Sequence, residues 1–208
     1  MKRFLIVIFA VLFSFSWPIN AATDPFSPKS TVMLWLNSKT DVIVAESLLR
    51  QAGFTGVSDD NNAKALITNK ETLTESELTK MKNYISQGGK VIALGTKNIP
   101  DITFLGEHDS RLVIAYLQIL DENSPKTIPK VVEFPRSNVS IFSSDGKPLL
   151  SYLGSDGYSK VHIEQLNYGL CSFSWGLYSG FDWFNETLLE DLHMRQLMIF
   201  WLRKTIWG

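Results

Sequence analysis

Cysteine is nearly absent from this chain of 208 residues. The single thiol, Cys171, excludes an intramolecular disulfide, so stability has to come from a hydrophobic core. An excess of either charge is missing too. The 20 basic and 21 acidic residues leave a formal net charge of −1, so no overall basic charge draws nucleic acid or anionic lipid, and no nucleic-acid partner is expected. Histidine is scarce, with 3 residues, and no spaced set of ligand side chains accompanies them, so neither a metal nor a cofactor is expected. Internal repeats and low-complexity tracts are also lacking. No apolar run reaches the ~20 residues that span a bilayer.

What is present begins with a targeting pattern. Lys2 and Arg3 precede an apolar run from Phe4 to Trp17, followed by Pro18 and the small residues Ala21 and Ala22. This is the composition of a secretory signal peptide, with cleavage at Ile19-Asn20-Ala21 or Asn20-Ala21-Ala22; a retained anchor would need a longer run. The expected organisation is a signal peptide at 1–22, an extended lead at 23–30 and one α/β domain at 31–208. No transmembrane anchor is expected after cleavage, and the protein is expected in the periplasm or outside the cell. Removing Lys2 and Arg3 makes the mature chain slightly more acidic. About 186 residues remain, enough for one full core.

Leu73 to Thr96 is the most legible stretch. Thr74 and Glu77 form a capping box, in which hydroxyl and carboxylate satisfy free amides at a helix start near Glu75. Leu78, Met81, Tyr84 and Ile85 share one face, while Lys80, Lys82, Asn83 and Gln87 turn to water. Gly88-Gly89 stops the helix, and Val91 to Leu94 is the short apolar run of a parallel strand covered on both faces.

The rest of the first half reads the same way. Thr31 to Leu36 is a strand, Asp41 to Ala52 a helix stopped by Gly53, Thr55 to Val57 a short strand and Ala63 to Thr68 a further strand. Strands alternating with helices predict a parallel, doubly wound sheet with right-handed crossovers. Beyond Thr96, the spacing predicts a helix over Ser110 to Leu120. Strands follow at Val131 to Phe134, Val139 to Phe142, Leu149 to Leu153, Lys160 to Leu166 and Leu170 to Trp175, with turns at Asp145-Gly146, Ser155-Asp156-Gly157 and Asn167-Tyr168-Gly169. Asn185 caps a final helix of roughly twenty residues.

Two segments carry a resemblance. One is the helix, Gly-Gly and strand module just described; the other is Ser144-Asp145-Gly146-Lys147-Pro148-Leu149-Leu150 followed by Tyr168-Gly169-Leu170-Cys171-Ser172-Phe173-Ser174. Together they resemble class I glutamine amidotransferase-like domains, including exported relatives of the ThuA-like group. The resemblance implies a flavodoxin-like, amidotransferase-like three-layer sandwich, a parallel sheet with an antiparallel C-terminal extension. It also implies where catalysis would sit: a Cys at the exit of the strand matching Val91 to Leu94, and a His-x-Glu after the last strand. Here Gly95-Thr96-Lys97 and Ser174-Trp175-Gly176 occupy those places, so no catalytic residue is assigned. Cys171 lies inside a strand, away from any elbow.

Other candidates are weighed against packing. His162-Ile163-Glu164 would share one strand face, which a polar, solvated face explains better than a metal or acid/base pair, since only two ligands lie in sequence. His108-Asp109 is an isolated pair; His193 lies beside Asp191 and Arg195, where surface ion pairs suffice. Asp59-Asp60 lacks the further oxygen ligands of a cation site. In doubly wound folds ligands bind at the carboxyl ends of strands, which makes Asn37, Asn69, Thr96 and Lys97 the candidate crevice. The aromatic residues Trp175, Tyr178, Phe181, Trp183 and Phe184 fall between the last strand and the last helix. There they either stack on sugar rings or a partner, or close the core beneath the helix. The expected function is non-catalytic binding of a small ligand or an envelope protein. Alternatives are an envelope hydrolase using Thr96, His108 or His162, and a structural subunit of an envelope or secretion complex.

Overall fold

The structure, a computed structural model, describes residues 31–54, 56–57, 63–109, 114–134, 138–154, 168–184 and 189–208. The signal-peptide and lead segments, the strand expected at Lys160 to Leu166 and the Asn185 cap therefore lie outside the described residues.

The first half follows its local chemistry. Strand β1 (Thr31–Trp35) leads into helix α1 (Lys39–Ala52). The helix starts two residues earlier than its apolar pattern suggests, because the Ser38 hydroxyl accepts the Asp41 amide at 3.1 Å and caps the first turn. Strands β2 (Gly56–Val57) and β3 (Ala65–Thr68) follow. Helix α2 (Glu75–Ser86) carries the expected capping box on Thr74 and Glu77. The second glycine of the stop has a packing reason: a Cβ on Gly89 would stand 2.4 Å from the Tyr84 ring, whose hydroxyl donates to the Ala63 carbonyl at 2.7 Å. Strand β4 (Lys90–Leu94) closes this half.

The second half is almost all strand: β5 (Ile102–Asp109), β6 (Tyr116–Ile119), β7 (Val131–Glu133), β8 (Asn138–Ser144), β9 (Lys147–Leu153), β10 (Tyr168–Phe173) and β11 (Gly176–Ser179), before helix α3 (Leu192–Trp207). The helix expected over Ser110 to Leu120 is not formed in its described part, where β6 pairs with β7 on one side and β9 on the other. Leu117 and Ile119 are buried and their neighbours are not, so a two-residue period prevails over the helical one. Helix α3 is shorter than expected and capped by Asp191, whose carboxylate accepts the Met194 amide at 2.8 Å.

Nine strands form one mixed sheet in the order β2-β1-β3-β4-β11-β10-β9-β6-β7, and β5 pairs with β8 separately. The first five in that order run parallel and the remaining neighbours antiparallel. The important departure from expectation is β11. The chain turns at Ser174-Trp175 and returns as a strand inserted between β4 and β10. Only glycine can open that strand: Gly176 has φ 146°, and a Cβ there would lie 1.8 Å from the Val91 carbonyl oxygen.

Alternation along the strands fills both faces. Val32, Ile67, Ile92, Leu94 and Leu177 join a cluster with the buried stripes of α1 and α3. Met33, Leu66, Val91, Ala93 and Tyr178 join a second cluster with Met81 and Tyr84 of α2 and Phe142 of β8. The fold is mixed α/β, with a parallel half extended by antiparallel strands.

Candidate functional site

The carboxyl ends of β1 and β3 are joined by a polar network. The Asn37 amide donates to Asn69 Oδ1 at 2.9 Å, and Asn37 Nδ2 to the Asn69 carbonyl at 2.7 Å. Asn69 Nδ2 in turn donates to Asp41 Oδ2 at 3.0 Å and Asp182 Oδ2 at 2.8 Å. Asn69 is buried, and its side-chain oxygen and both amide hydrogens are engaged. It locks β1, the first turn of α1 and the segment after β11 to one another. Burial raises the pKa of Asp182, and the nearby Asp41 carboxylate adds to this, against the Phe184 amide and Asn69, which favour the charged form. Sequence reasoning missed Asp182. Its signal was there: a lone acid in the apolar string Phe181-Asp182-Trp183-Phe184 has to have a partner.

Thr96, the candidate at the exit of β4, is 0% exposed. Its carbonyl accepts the Tyr178 hydroxyl at 3.0 Å, and its own hydroxyl is buried without a partner among the described residues. The place expected to open as a crevice is filled, so Thr96 cannot meet a ligand in this conformation. Lys97 reaches the surface but is engaged, bonded to Glu71, 3.1 Å from Glu107 Oε1 and 5.2 Å from the centre of the Phe104 ring. Hydrogen bonds to Glu71 and then Glu107 raise its pKa, and Lys97 lowers that of Glu71. Asn37 is exposed beside this edge.

Of the two roles open to the aromatic run, closing the core is the one its packing takes. Trp175, Tyr178, Phe181 and Trp183 are 7%, 0%, 1% and 1% exposed. Trp175 stacks on Phe173 at 4.6 Å between centroids and donates its indole N–H to Asp101 at 3.1 Å. Tyr178 meets Phe142 edge-on, Phe181 meets Phe134 edge-on, and Trp183 lies beside Trp201 of α3. Rings thus packed offer no face to a sugar or a partner.

Among the described residues, catalytic groups are not brought together here. Cys171 is buried in β10, and burial pushes its thiol up to about 11, the opposite of an activated nucleophile. His162, Asp59 and Asp60 lie outside the described residues, as do the side chains of His108 and Asp109. His193 is in the first turn of α3, directly after the cap. Among the described residues, no group of three or more His, Cys, Asp or Glu could hold a metal. A cleft of about 610 Å³ opens instead at the amino ends of β4 and β11, where the sequence drew no attention.

No family model matches the chain, and no curated protein sequence does. Its fold is similar to that of alpha-L-fucosidase isoenzyme 2 from Paenibacillus thiaminolyticus, at 17% identity and a TM-score of 0.65. The likeness shows the fold. The match takes in 85% of this chain but 33% of that enzyme, so the chain spans about a third of the fucosidase's length. Among the described residues, no helix is long and apolar enough to cross a membrane.

Proposed function

We propose that this chain is an exported, non-catalytic binding domain of the cell envelope, built on the flavodoxin-like three-layer plan of class I glutamine amidotransferase-like domains of the ThuA-like group. One observation carries the non-catalytic part: Thr96, where such domains would place a nucleophile, is fully buried and tied through its carbonyl to Tyr178. Catalysis at that turn needs a reactive group open to substrate, and here there is neither group nor opening. The strand order, with β11 beside β4 and an antiparallel extension beyond it, supports the amidotransferase-like plan. Lys2-Arg3, the Phe4 to Trp17 run and Ala21-Ala22 support export. Binding is assigned to the molecule's surface, with Asn37 and Lys97 as the accessible members of the carboxyl-edge set.

The test has two arms. Purified protein should release no ammonia from glutamine above the buffer rate; turnover abolished by Cys171→Ala or Thr96→Val would overturn the non-catalytic reading. Tagged protein incubated with envelope extract should retain a component whose yield drops in the Asn37→Ala/Lys97→Ala variant. Equal retention by the variant would remove this edge as the recognition surface.

A further inference from the structure

A second feature of the molecule lies at the opposite edge of the sheet and depends neither on the family resemblance nor on export. Strands β4 and β9 start there, β10 ends there, and the last turn of α3 covers them. Between these elements opens the cleft of about 610 Å³, within the 300–1,000 Å³ range usual for small-ligand sites. Its lining includes Lys90, Lys147 and Lys204, with Phe173, Ile206 and Trp207 as partly exposed apolar members, and no Asp or Glu.

The three lysines differ in what compensates them. Lys204 is neutralised from below, its ammonium 2.8 Å and 3.0 Å from the two oxygens of Asp121. That carboxylate is buried and also accepts the Trp201 indole N–H at 3.1 Å, so it is committed to holding the floor. Lys90 donates to the Ser174 carbonyl at 2.8 Å, a neutral acceptor that leaves its charge whole. Lys147 is exposed at the start of β9. Among the described residues, neither Lys90 nor Lys147 pairs with a carboxylate, although Gly208, the last residue, also lines the cleft. Two ammonium groups without a carboxylate partner, at the starts of β4 and β9 with β11 and β10 between them, line one cleft in a chain of nearly balanced charge, and they favour an anion there.

We propose that this cleft binds an organic anion, a phosphate or carboxylate group carried on an apolar body. The apolar body lies along the partly exposed Phe173, Ile206 and Trp207, and the anionic group lies on the strand side toward Lys90 and Lys147. The orientation follows from α3, whose last turn presents carbonyl oxygens at the carboxyl end of the helix dipole and repels an anion from the helix side. The apolar walls reject a bare inorganic anion as the best ligand. The ammonium groups reject an alcohol of the same length.

The experiment titrates the full chain with octyl phosphate, octanoate, octanol and inorganic phosphate, following tryptophan fluorescence, since the partly exposed Trp207 lies in the lining, and checking by calorimetry. The expected result is saturable binding of octyl phosphate or octanoate, at least tenfold tighter than octanol or inorganic phosphate and weakening as salt rises. The Lys90→Met/Lys147→Met variant should lose at least tenfold in affinity while its thermal unfolding stays cooperative; if that variant fails to fold, Lys147→Glu alone serves, on an exposed side chain. Vesicles of anionic phospholipid against zwitterionic phospholipid separate a lipid headgroup from a soluble source of the same chemistry. Retention on anionic vesicles alone assigns the lipid, and binding of the monomeric amphiphile without vesicle retention assigns a soluble ligand. Octanol binding as tightly as octyl phosphate, affinities unchanged in the lysine variants, or no binding of any anionic probe would overturn the proposal.

Discussion

The hydroxyl of Tyr178 donates to the carbonyl oxygen of Thr96 at 3.0 Å, tying the exit of β4 to the middle of the neighbouring strand β11 across 82 residues of sequence. The bond closes the turn that would otherwise open at the carboxyl edge, and the ring beneath it packs against Phe142. Desolvation and the neighbouring Cys171 raise the pKa of Tyr178, which keeps the phenol protonated as a donor.

Tyr178→Phe keeps the ring and removes only that donor. We expect a loss of about 1–2 kcal/mol, since the Thr96 carbonyl is left buried without its partner. Urea unfolding should show a lower midpoint with an unchanged slope, and an unaltered midpoint would mean that the carbonyl finds another donor.

Trp183→Ala distinguishes a core ring from a recognition ring. At 1% exposure and beside Trp201, its removal should cost about 3–5 kcal/mol, with Trp183→Phe costing less. A variant as stable as the parent would return this ring to the surface reading.

Cys171 should be silent toward thiol reagents in the native protein. Burial has raised its pKa to about 11 and removed it from solvent, so both thiolate and access are missing at neutral pH. Labelling by a disulfide reagent across a urea series should track global unfolding; labelling well before the unfolding transition would reveal a local opening of β10.

Asp182 makes a pH prediction with a definite sign. Its folded pKa lies above the ordinary value of 3.8, so the native state holds this proton more tightly than the unfolded chain does. The resulting penalty is absent below that value, grows as pH rises through the folded pKa, and is complete above it. Asp182→Asn should therefore fare better relative to the parent at pH 7 than at pH 4 in urea melts. An equal difference at both values would show that Asn69 and the Phe184 amide compensate the charge completely.

Much of the parallel half was legible because its determinants are local. Thr74 caps an amide three residues away, Gly53 stops α1, and Val91 to Leu94 is apolar at every position because both faces are covered. The misread stretches are those in which apolar spacing fits two periods. Tyr116 to Ile119 satisfies a helix as well as a strand, and only pairing with β7 and β9 decides between them. Of the carboxyl-edge set, Asn37 and Asn69 meet through hydrogen bonds, while Thr96 is buried and Asp182, outside the set, completes the network.

The amino-acid sequence by itself determined the start of α2 at its capping box, the parallel strands of the first half and the need for a disulfide-free core. Each rests on interactions spanning a few residues or on composition. Tertiary structure alone decided that Trp175 to Trp183 would be interior, by inserting β11 between β4 and β10. It also brought Lys90 and Lys147 to one cleft. Hydrophobicity tells a side chain to leave water without naming its neighbour, and a lysine's charge is unanswered or answered only once distant strands have met.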